Sequence, residues 1–382
     1  MFKSTLILVL LILGFAQSQA QWVILSKEAD TLVSQGTNYI YNIEFEKAEQ
    51  CFKKIQSLEP NNPAGYFLDA MIEWWEINMF PFSKKTDDKF LVKVDKVIQL
   101  SDALLEKEEY DLTGLFFKGA ALGYRARLFA QRNSWLDAAS DGKAAFDIMT
   151  KCYERAPQNH DIMMGTGIYN YFAEAIPEKM PLLKPIVLFF PKGNKKIGIL
   201  QLKSSAAYAR YTKVEALTTL MQINYSFEEN MNEAYFYSKQ LKTAYPNNPY
   251  FHKYFARCLV RMGEWDSLEV HWREIVNRTL NKQKGYDNPV GREGCYYVGL
   301  ALDRKGNLET ALKYLLKCEE ISKYIADDES GFRASANLKI GLIYDKLGKR
   351  DLAIKQYKLC LNLKDFQDVH EKAEKYIKVP YR

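Results

Sequence analysis

The sequence lacks the signatures of catalytic chemistry. Its four histidines show neither the H-E-x-x-H pattern nor another paired spacing typical of a metal site. There is no Gly-x-Ser-x-Gly turn and no phosphate-binding loop, and Asn170 stands where a dinucleotide fingerprint would need its third glycine. We therefore predict that the protein is not an enzyme and that it holds no cofactor and no metal.

Proline, glycine and long hydrophobic runs are also scarce. The 12 prolines and 20 glycines stand beside 25 tyrosines and 21 phenylalanines in 382 residues, a composition that argues against disorder. Six cysteines leave disulfides open as an alternative in an exported chain. However, Cys318 and Cys360 each follow an alanine of a repeated pattern by seven residues, so we expect the cysteines to be small buried residues.

The first twenty residues resemble a secretory leader. Lys3 precedes an uncharged apolar run at 6–15, and small residues up to Ala20 form a cleavage site. The run is shorter than the roughly 18–20 residues of a membrane span, and the first cysteine is Cys51, so no lipoprotein anchor is indicated. We predict a signal peptide at 1–20 and export to the periplasm or envelope of a Gram-negative bacterium, or secretion. A buried first helix is the alternative.

The chain repeats itself. Pro60-Asn61-Asn62-Pro63 recurs as Pro246-Asn247-Asn248-Pro249, and in both copies a tyrosine and an alanine precede the motif at the same distances. Apolar residues at spacings of three and four indicate paired amphipathic helices, and self-similarity of this kind is typical of a solenoid. The positions that the repeat needs for helix packing and termination are Gly36, Tyr39, Ala48, Pro60, Tyr225, Ala234, Pro246, Gly299, Gly306, Ala311, Gly341, Gly348 and Ala353.

This pattern resembles the tetratricopeptide repeat. The resemblance implies an all-α fold in which helical hairpins stack into a right-handed superhelix with a concave groove for a protein or peptide. We expect the solenoid to cover 21–382, with N-terminal repeats at 21–160 and C-terminal repeats at 215–382. The polar stretch 16–21 at the end of the leader is similar to signal ends in Bacteroidota. An irregular insert at 161–214, rich in Gly, Pro and Lys, resembles a signature of bacterial tetratricopeptide repeat proteins. It is more distantly similar to a eukaryotic family that includes an inclusion-body clearance protein.

Two groups of basic residues are candidate binding sites. The stretch 179–214 contains eight basic residues and no carboxylate, although a solvated face is the simpler interpretation. Its candidate patch comprises Lys192, Lys195, Lys196, Lys203, Arg210 and Lys213. Lys253, Arg257 and Arg261 are four residues apart and share one helical face. By the resemblance, they and Tyr250 line the groove, where they would favour an anionic partner.

The sequence therefore predicts a non-enzymatic exported scaffold that binds a protein or peptide. The alternative is an envelope protein that captures glycans or nutrients. The adjacent Trp74 and Trp75 would favour that alternative if they were exposed, but we expect them to belong to the core and an interface. Nucleic acid is not expected as a partner of an exported chain, and no transmembrane segment is expected in the mature protein.

Overall fold

The computed structural model describes residues 25–187, 190–325 and 331–382, and the regular structure of these ranges is helical, as predicted. The expected leader at 1–20 lies outside the described residues. A short 3-10 turn at Pro181–Leu183 precedes the helix Lys184–Val187. The helices are α1 Lys27–Tyr41, α2 Phe45–Leu58, α3 Ala64–Met79, α4 Asp87–Leu105, α5 Leu112–Gln131, α6 Trp135–Arg155, α7 His160–Lys179, α8 Lys184–Val187, α9 Lys195–Tyr208, α10 Lys213–Ser226, α11 Met231–Ala244, α12 Pro249–Met262, α13 Trp265–Leu280, α14 Asn288–Arg304, α15 Leu308–Ser322, α16 Phe332–Lys346, α17 Arg350–Leu361 and α18 Val369–Lys378.

Three glycines end the first helices of successive hairpins. Gly263, Gly306 and Gly348 follow α12, α14 and α16 with φ of 73°, 75° and 71°. This left-handed conformation is easily reached without a Cβ, and it turns the chain back towards its own helix. Each hairpin can therefore close within a few residues, which explains why these glycines recur at an almost constant interval.

Small residues let the two helices of a hairpin approach each other. A Cβ on Gly36 would lie 2.3 Å from the ring of Phe52, and one on Gly341 would lie 2.4 Å from the ring of Tyr357. Gly299 lies similarly close to a leucine of α15. On the second helices, the matching small positions are fully buried: Ala48, Ala234, Ala311 and Ala353. A larger residue at any of these positions would force the paired helices apart.

The repeated Pro-Asn-Asn-Pro motif joins one hairpin to the next. Pro60 and Pro246 lie just beyond the ends of α2 and α11. The side chain of Asn62 accepts a hydrogen bond from the backbone N–H of Ala64 at 3.0 Å. The side chain of Asn248 accepts from the N–H groups of Tyr250 and Phe251. The second asparagine is therefore the cap of the following helix. Tyr39 and Tyr225, upstream of the two copies, are half-buried.

The segment 161–214, predicted as irregular, is largely helical. Helices α7 and α9 pack so closely that a Cβ on Gly198 would lie 2.6 Å from the backbone nitrogen of Tyr171. Asp161 is buried, and its Oδ1 accepts hydrogen bonds of 2.8 Å from the N–H groups of Tyr211 and Thr212. Glycine spacing that looks irregular in the sequence therefore serves close helix packing. Within this segment, Leu182 of the 3-10 turn is 93% exposed.

The chain forms two compact units. The first contains the described residues up to Ile40, Glu44–Trp74 and Lys84–Lys213, and the second contains Tyr41–Ile43, Trp75–Ser83 and Val214–Arg382. In the first unit, Trp74 packs against Phe90 and Tyr124. In the second, Trp75 packs against Phe251. Each tryptophan is covered by the aromatic side chains of its own unit, so both are at most 2% exposed.

The cysteines are buried, as predicted, and none of the six is in a disulfide: Cys51, Cys152, Cys258, Cys295, Cys318 and Cys360. Burial raises the pKa of Cys152 and of Cys360 to about 12, which keeps both thiols protonated and unreactive. None of the helices in the described ranges combines the length and the hydrophobicity that a membrane crossing requires.

Candidate functional site

A polar surface rich in tyrosine follows one side of α12 in the second unit. Lys253, Arg257 and Arg261 lie on this side, which faces α10 and α14. We call this surface the tyrosine–cation face, and its members are Tyr225, Tyr250, Lys253, Tyr254, Arg257, Arg261 and Glu293. Rings of neighbouring tyrosines are in contact, with centroids 4.8 Å apart for Tyr250 and Tyr254.

Arg257 forms a two-pronged ion pair with Glu293 of α14. Its Nε lies 2.7 Å from Oε1, and its second nitrogen lies 2.6 Å from Oε2. Only 5% of the Glu293 side chain is exposed, against 30% for Arg257. Burial acts to lower the pKa of Arg257, but Glu293 outweighs burial and raises it. Arg257 therefore links α12 to α14, and the carboxylate of Glu293 already neutralises its charge.

Arg261 is held by α10. It donates a hydrogen bond of 2.9 Å to the backbone carbonyl of Tyr225, and its guanidinium lies 4.5 Å from the centroid of the Tyr225 ring. Carbonyl groups at a helix end carry partial negative charge, so they favour a cation. Arg261 thus has partners of its own, but no carboxylate neutralises it within ion-pair distance in the described ranges.

Lys253 differs from its two neighbours on α12. It is half-buried, and its ammonium lies 5.4 Å from the centroid of the Tyr250 ring. It makes no ion pair with any carboxylate of the described residues. Burial, followed by repulsion from Arg257, lowers the pKa of Lys253 to about 8 and outweighs the attraction of Glu293 and Asp287. A cation that is desolvated and repelled in this way is favourably placed for an incoming anion.

The other predicted site residues have different surroundings. Tyr250 is only 6% exposed and contacts Gln222 through its hydroxyl, so it supports the face from below. In the basic patch of the first unit, Lys195 lies 2.5 Å from Glu178 and Arg210 pairs with Asp30. The patch members Lys192, Lys196, Lys203 and Lys213 are exposed to solvent. The sequence pattern does not indicate Glu293, which is the ion-pair partner of Arg257.

A second group of polar residues lies inside the α12–α13 hairpin. His252, His271 and Glu274 each bring one potential ligand atom within 4.8 Å of the other two. Nε2 of His252 lies 3.7 Å from Oε2 of Glu274. Burial, followed by the charge of Lys242, lowers the pKa of His252 to about 2, so its imidazole is neutral. The sequence pattern does not reveal this cluster, because His252 and His271 are 19 residues apart. The H-x-x-E spacing of His271 and Glu274 was the available signal.

These features define a helical-hairpin repeat protein with a partly buried cationic face. Residues 334–366, which cover most of α16 and all of α17, match the family model of the tetratricopeptide repeat. The second unit therefore contains a tetratricopeptide repeat.

Two solved structures are similar to this chain. PilF of Pseudomonas aeruginosa is 13% identical, with a TM-score of 0.43 over 67% of this chain and 96% of that one. Yeast Tom70 is 12% identical, with a TM-score of 0.39 over 92% of this chain and 88% of that one. No curated protein matches the chain.

Proposed function

We propose that this protein is an exported, non-enzymatic scaffold that binds an acidic peptide segment of another protein on the tyrosine–cation face. Two observations support the general class: the tetratricopeptide repeat at 334–366 and the stacked hairpins around it. The expected leader at 1–20 supports export. Within the class, the face of α12 is the best candidate surface because it combines half-buried cations with tyrosines.

The main support for this surface is the half-buried position of Lys253, which has no ion pair among the described residues. The face holds three cations, Lys253, Arg257 and Arg261, and Glu293 is paired with only one of them. Burial deprives the Lys253 ammonium of part of its hydration. A peptide carboxylate nearby would replace that lost hydration with an ion pair. Charge-assisted hydrogen bonds contribute roughly 1.5–3 kcal/mol in sheltered sites. The tyrosine rings would add apolar contact area without losing much conformational entropy.

The binding test uses three labelled peptides of equal length, one acidic, one neutral and one basic. We expect the acidic peptide to bind best, and we expect Lys253→Gln to weaken its binding by about tenfold or more, which corresponds to about 1.4 kcal/mol. Fluorescence anisotropy measures the three affinities. The matched control is Lys196→Gln, which removes an exposed charge from the basic patch. Equal binding of the three peptides, or an unchanged affinity in Lys253→Gln, would contradict the proposal.

The pH dependence provides a second test on the unmodified chain. Lys253 must be protonated to bind a carboxylate, and its pKa in the free protein is about 8. Binding favours the charged form and therefore raises this pKa. Affinity for the acidic peptide should then be about tenfold lower at pH 9 than at pH 7. In Lys253→Gln this decrease should be absent, which separates Lys253 from other groups that titrate in the same range.

A further inference from the structure

We propose that His252, His271 and Glu274 form a Zn²⁺ site that holds helix α12 against helix α13. Imidazole nitrogen and carboxylate oxygen are ligands that Zn²⁺ accepts, and three protein ligands leave a fourth position for water. One potential ligand atom of each residue already lies within 4.8 Å of the other two. Ligand atoms of a tetrahedral zinc site lie roughly 3.3 Å apart, so small side-chain rotations would complete the site.

Two nitrogen atoms of the cluster have no partner. Nε2 of His252 and Nδ1 of His271 are buried and lack a hydrogen bond among the described residues. The His252 side chain is fully buried, so water does not compensate for the missing bond at the protein surface. Buried polar atoms without a hydrogen-bond partner are uncommon, and a bound ion is one of their recognised explanations. The position of Glu274 Oε2, 3.7 Å from His252 Nε2, adds the negative charge that a cation needs.

A second layer of contacts fixes the proposed ligands. The hydroxyl oxygen of Tyr286 lies 3.2 Å from Nδ1 of His252 and accepts a hydrogen bond of 3.1 Å from Arg278. Arg278 also donates to Oε1 of Glu274, which leaves Oε2 for the metal. When His252 is protonated at Nδ1, its N–H can donate a hydrogen bond to this hydroxyl oxygen while Nε2 presents a lone pair. Outer partners of this kind orient metal ligands in known sites.

The ligand types and the charges around the cluster bear on which ion it would bind. Lys242 and Arg278 both act on the cluster as cations, and Lys242 affects both histidines. Glu274 is the carboxylate of the set, and its side chain is 38% exposed, which gives an ion access from solvent. A mixed set of two nitrogens and one oxygen suits Zn²⁺ better than the oxygen-seeking Mg²⁺ or Ca²⁺. All three ligands belong to one hairpin, so Zn²⁺ would stabilise the packing of α12 against α13.

The test measures zinc binding by the full chain, purified without a histidine tag and stripped with a chelator. After equilibration with Zn²⁺ and removal of the excess, mass spectrometry of the metal should give about one zinc per chain. The melting temperature should rise by a few degrees, because folding brings the three ligands together and the folded chain therefore binds Zn²⁺ more tightly. Addition of Mg²⁺ in place of Zn²⁺ should leave the melting temperature unchanged. A chain that retains no zinc would overturn the proposal.

Variants separate this site from the other potential ligands of the chain. Glu274→Gln and His271→Gln keep similar shapes at partly exposed positions, and each should abolish stoichiometric zinc binding and the rise in melting temperature. Tyr286→Phe keeps the ring but removes the hydroxyl that contacts His252 and Arg278, and it should weaken binding about 10- to 100-fold. The control His370→Gln changes a histidine that contacts the Leu363 carbonyl, and it should bind zinc normally. Equal zinc binding by Glu274→Gln and the unmodified chain would overturn the assignment.

Discussion

The two basic regions differ in what surrounds each charge. In the basic patch, Lys195 and Arg210 pair with carboxylates, and Lys196 is exposed to water. On the tyrosine–cation face, Arg257 is matched by Glu293, whereas Lys253 is half-buried without an ion pair among the described residues. The patch has the larger number of positive charges, but the face has the cation whose environment would change most on binding an anion. The proposed function therefore rests on the burial of one cation and not on the number of charges.

The largest effect on stability is expected when the ion pair between Arg257 and Glu293 is broken. Arg257→Ala leaves Glu293 almost fully buried and unpaired, and losing one member of a buried pair costs roughly 3–5 kcal/mol. Because Arg257 is itself partly exposed, we expect a loss of about 2–4 kcal/mol in the free energy of unfolding. Urea denaturation at pH 7 measures this loss.

The matched control for this change comes from the basic patch. Arg210→Ala removes an arginine that also pairs with a carboxylate, Asp30, but 58% of the Arg210 side chain is exposed. We expect a loss within about 1 kcal/mol, as for other surface ion pairs. Similar losses for Arg257→Ala and Arg210→Ala would show that the two regions do not differ in the way that the contacts indicate.

An intermediate effect on stability, of opposite sign, is expected when Lys253 is replaced. Lys253→Met keeps the length of the side chain and removes a charge that burial disfavours. The pKa of Lys253 is about 8 in the folded chain, against about 10.4 for an unfolded lysine. A difference of about two pKa units corresponds to about 3 kcal/mol, which partial exposure reduces to about 1–2 kcal/mol. Lys253→Met should therefore be more stable by this amount at pH 7.

The pH dependence of that difference gives the sharper test. Between pH 8 and 10.4 the unfolded chain binds the lysine proton while the folded chain has lost it, so the stability of the unmodified protein rises with pH in this window. The variant lacks this rise, and its advantage at pH 7 should shrink as the pH approaches 10. Urea unfolding of both proteins at pH 7 and 9.5 gives the comparison. An advantage that stays constant with pH would argue against a depressed pKa at Lys253.

The sequence predicted the hairpins because their determinants are local. Glycine at a helix end and asparagine before the next helix act within a few residues, so they recur at fixed spacing. The partners of the candidate site are not local. Glu293 meets Arg257 across 36 residues, and His252 meets His271 across 19. Burial of Tyr250 likewise depends on side chains that only the folded chain brings together.

The smallest effect is expected when the exposed charges of the basic patch are removed. In a triple variant, Lys192→Gln, Lys196→Gln and Lys213→Gln would remove three positive charges, and each of these lysines is exposed to solvent. Surface substitutions of this kind usually change stability by less than about 0.5 kcal/mol.

Water and salt screen such charges over about 8 Å at physiological ionic strength. We therefore expect less than about a threefold change in affinity for the acidic peptide at that ionic strength, measured by anisotropy beside Lys253→Gln. The same measurement at low salt should show a larger change for the triple variant, since screening is weaker there. If the triple variant instead loses as much affinity as Lys253→Gln at physiological salt, the number of charges decides binding, and the basic patch replaces the tyrosine–cation face as the candidate site.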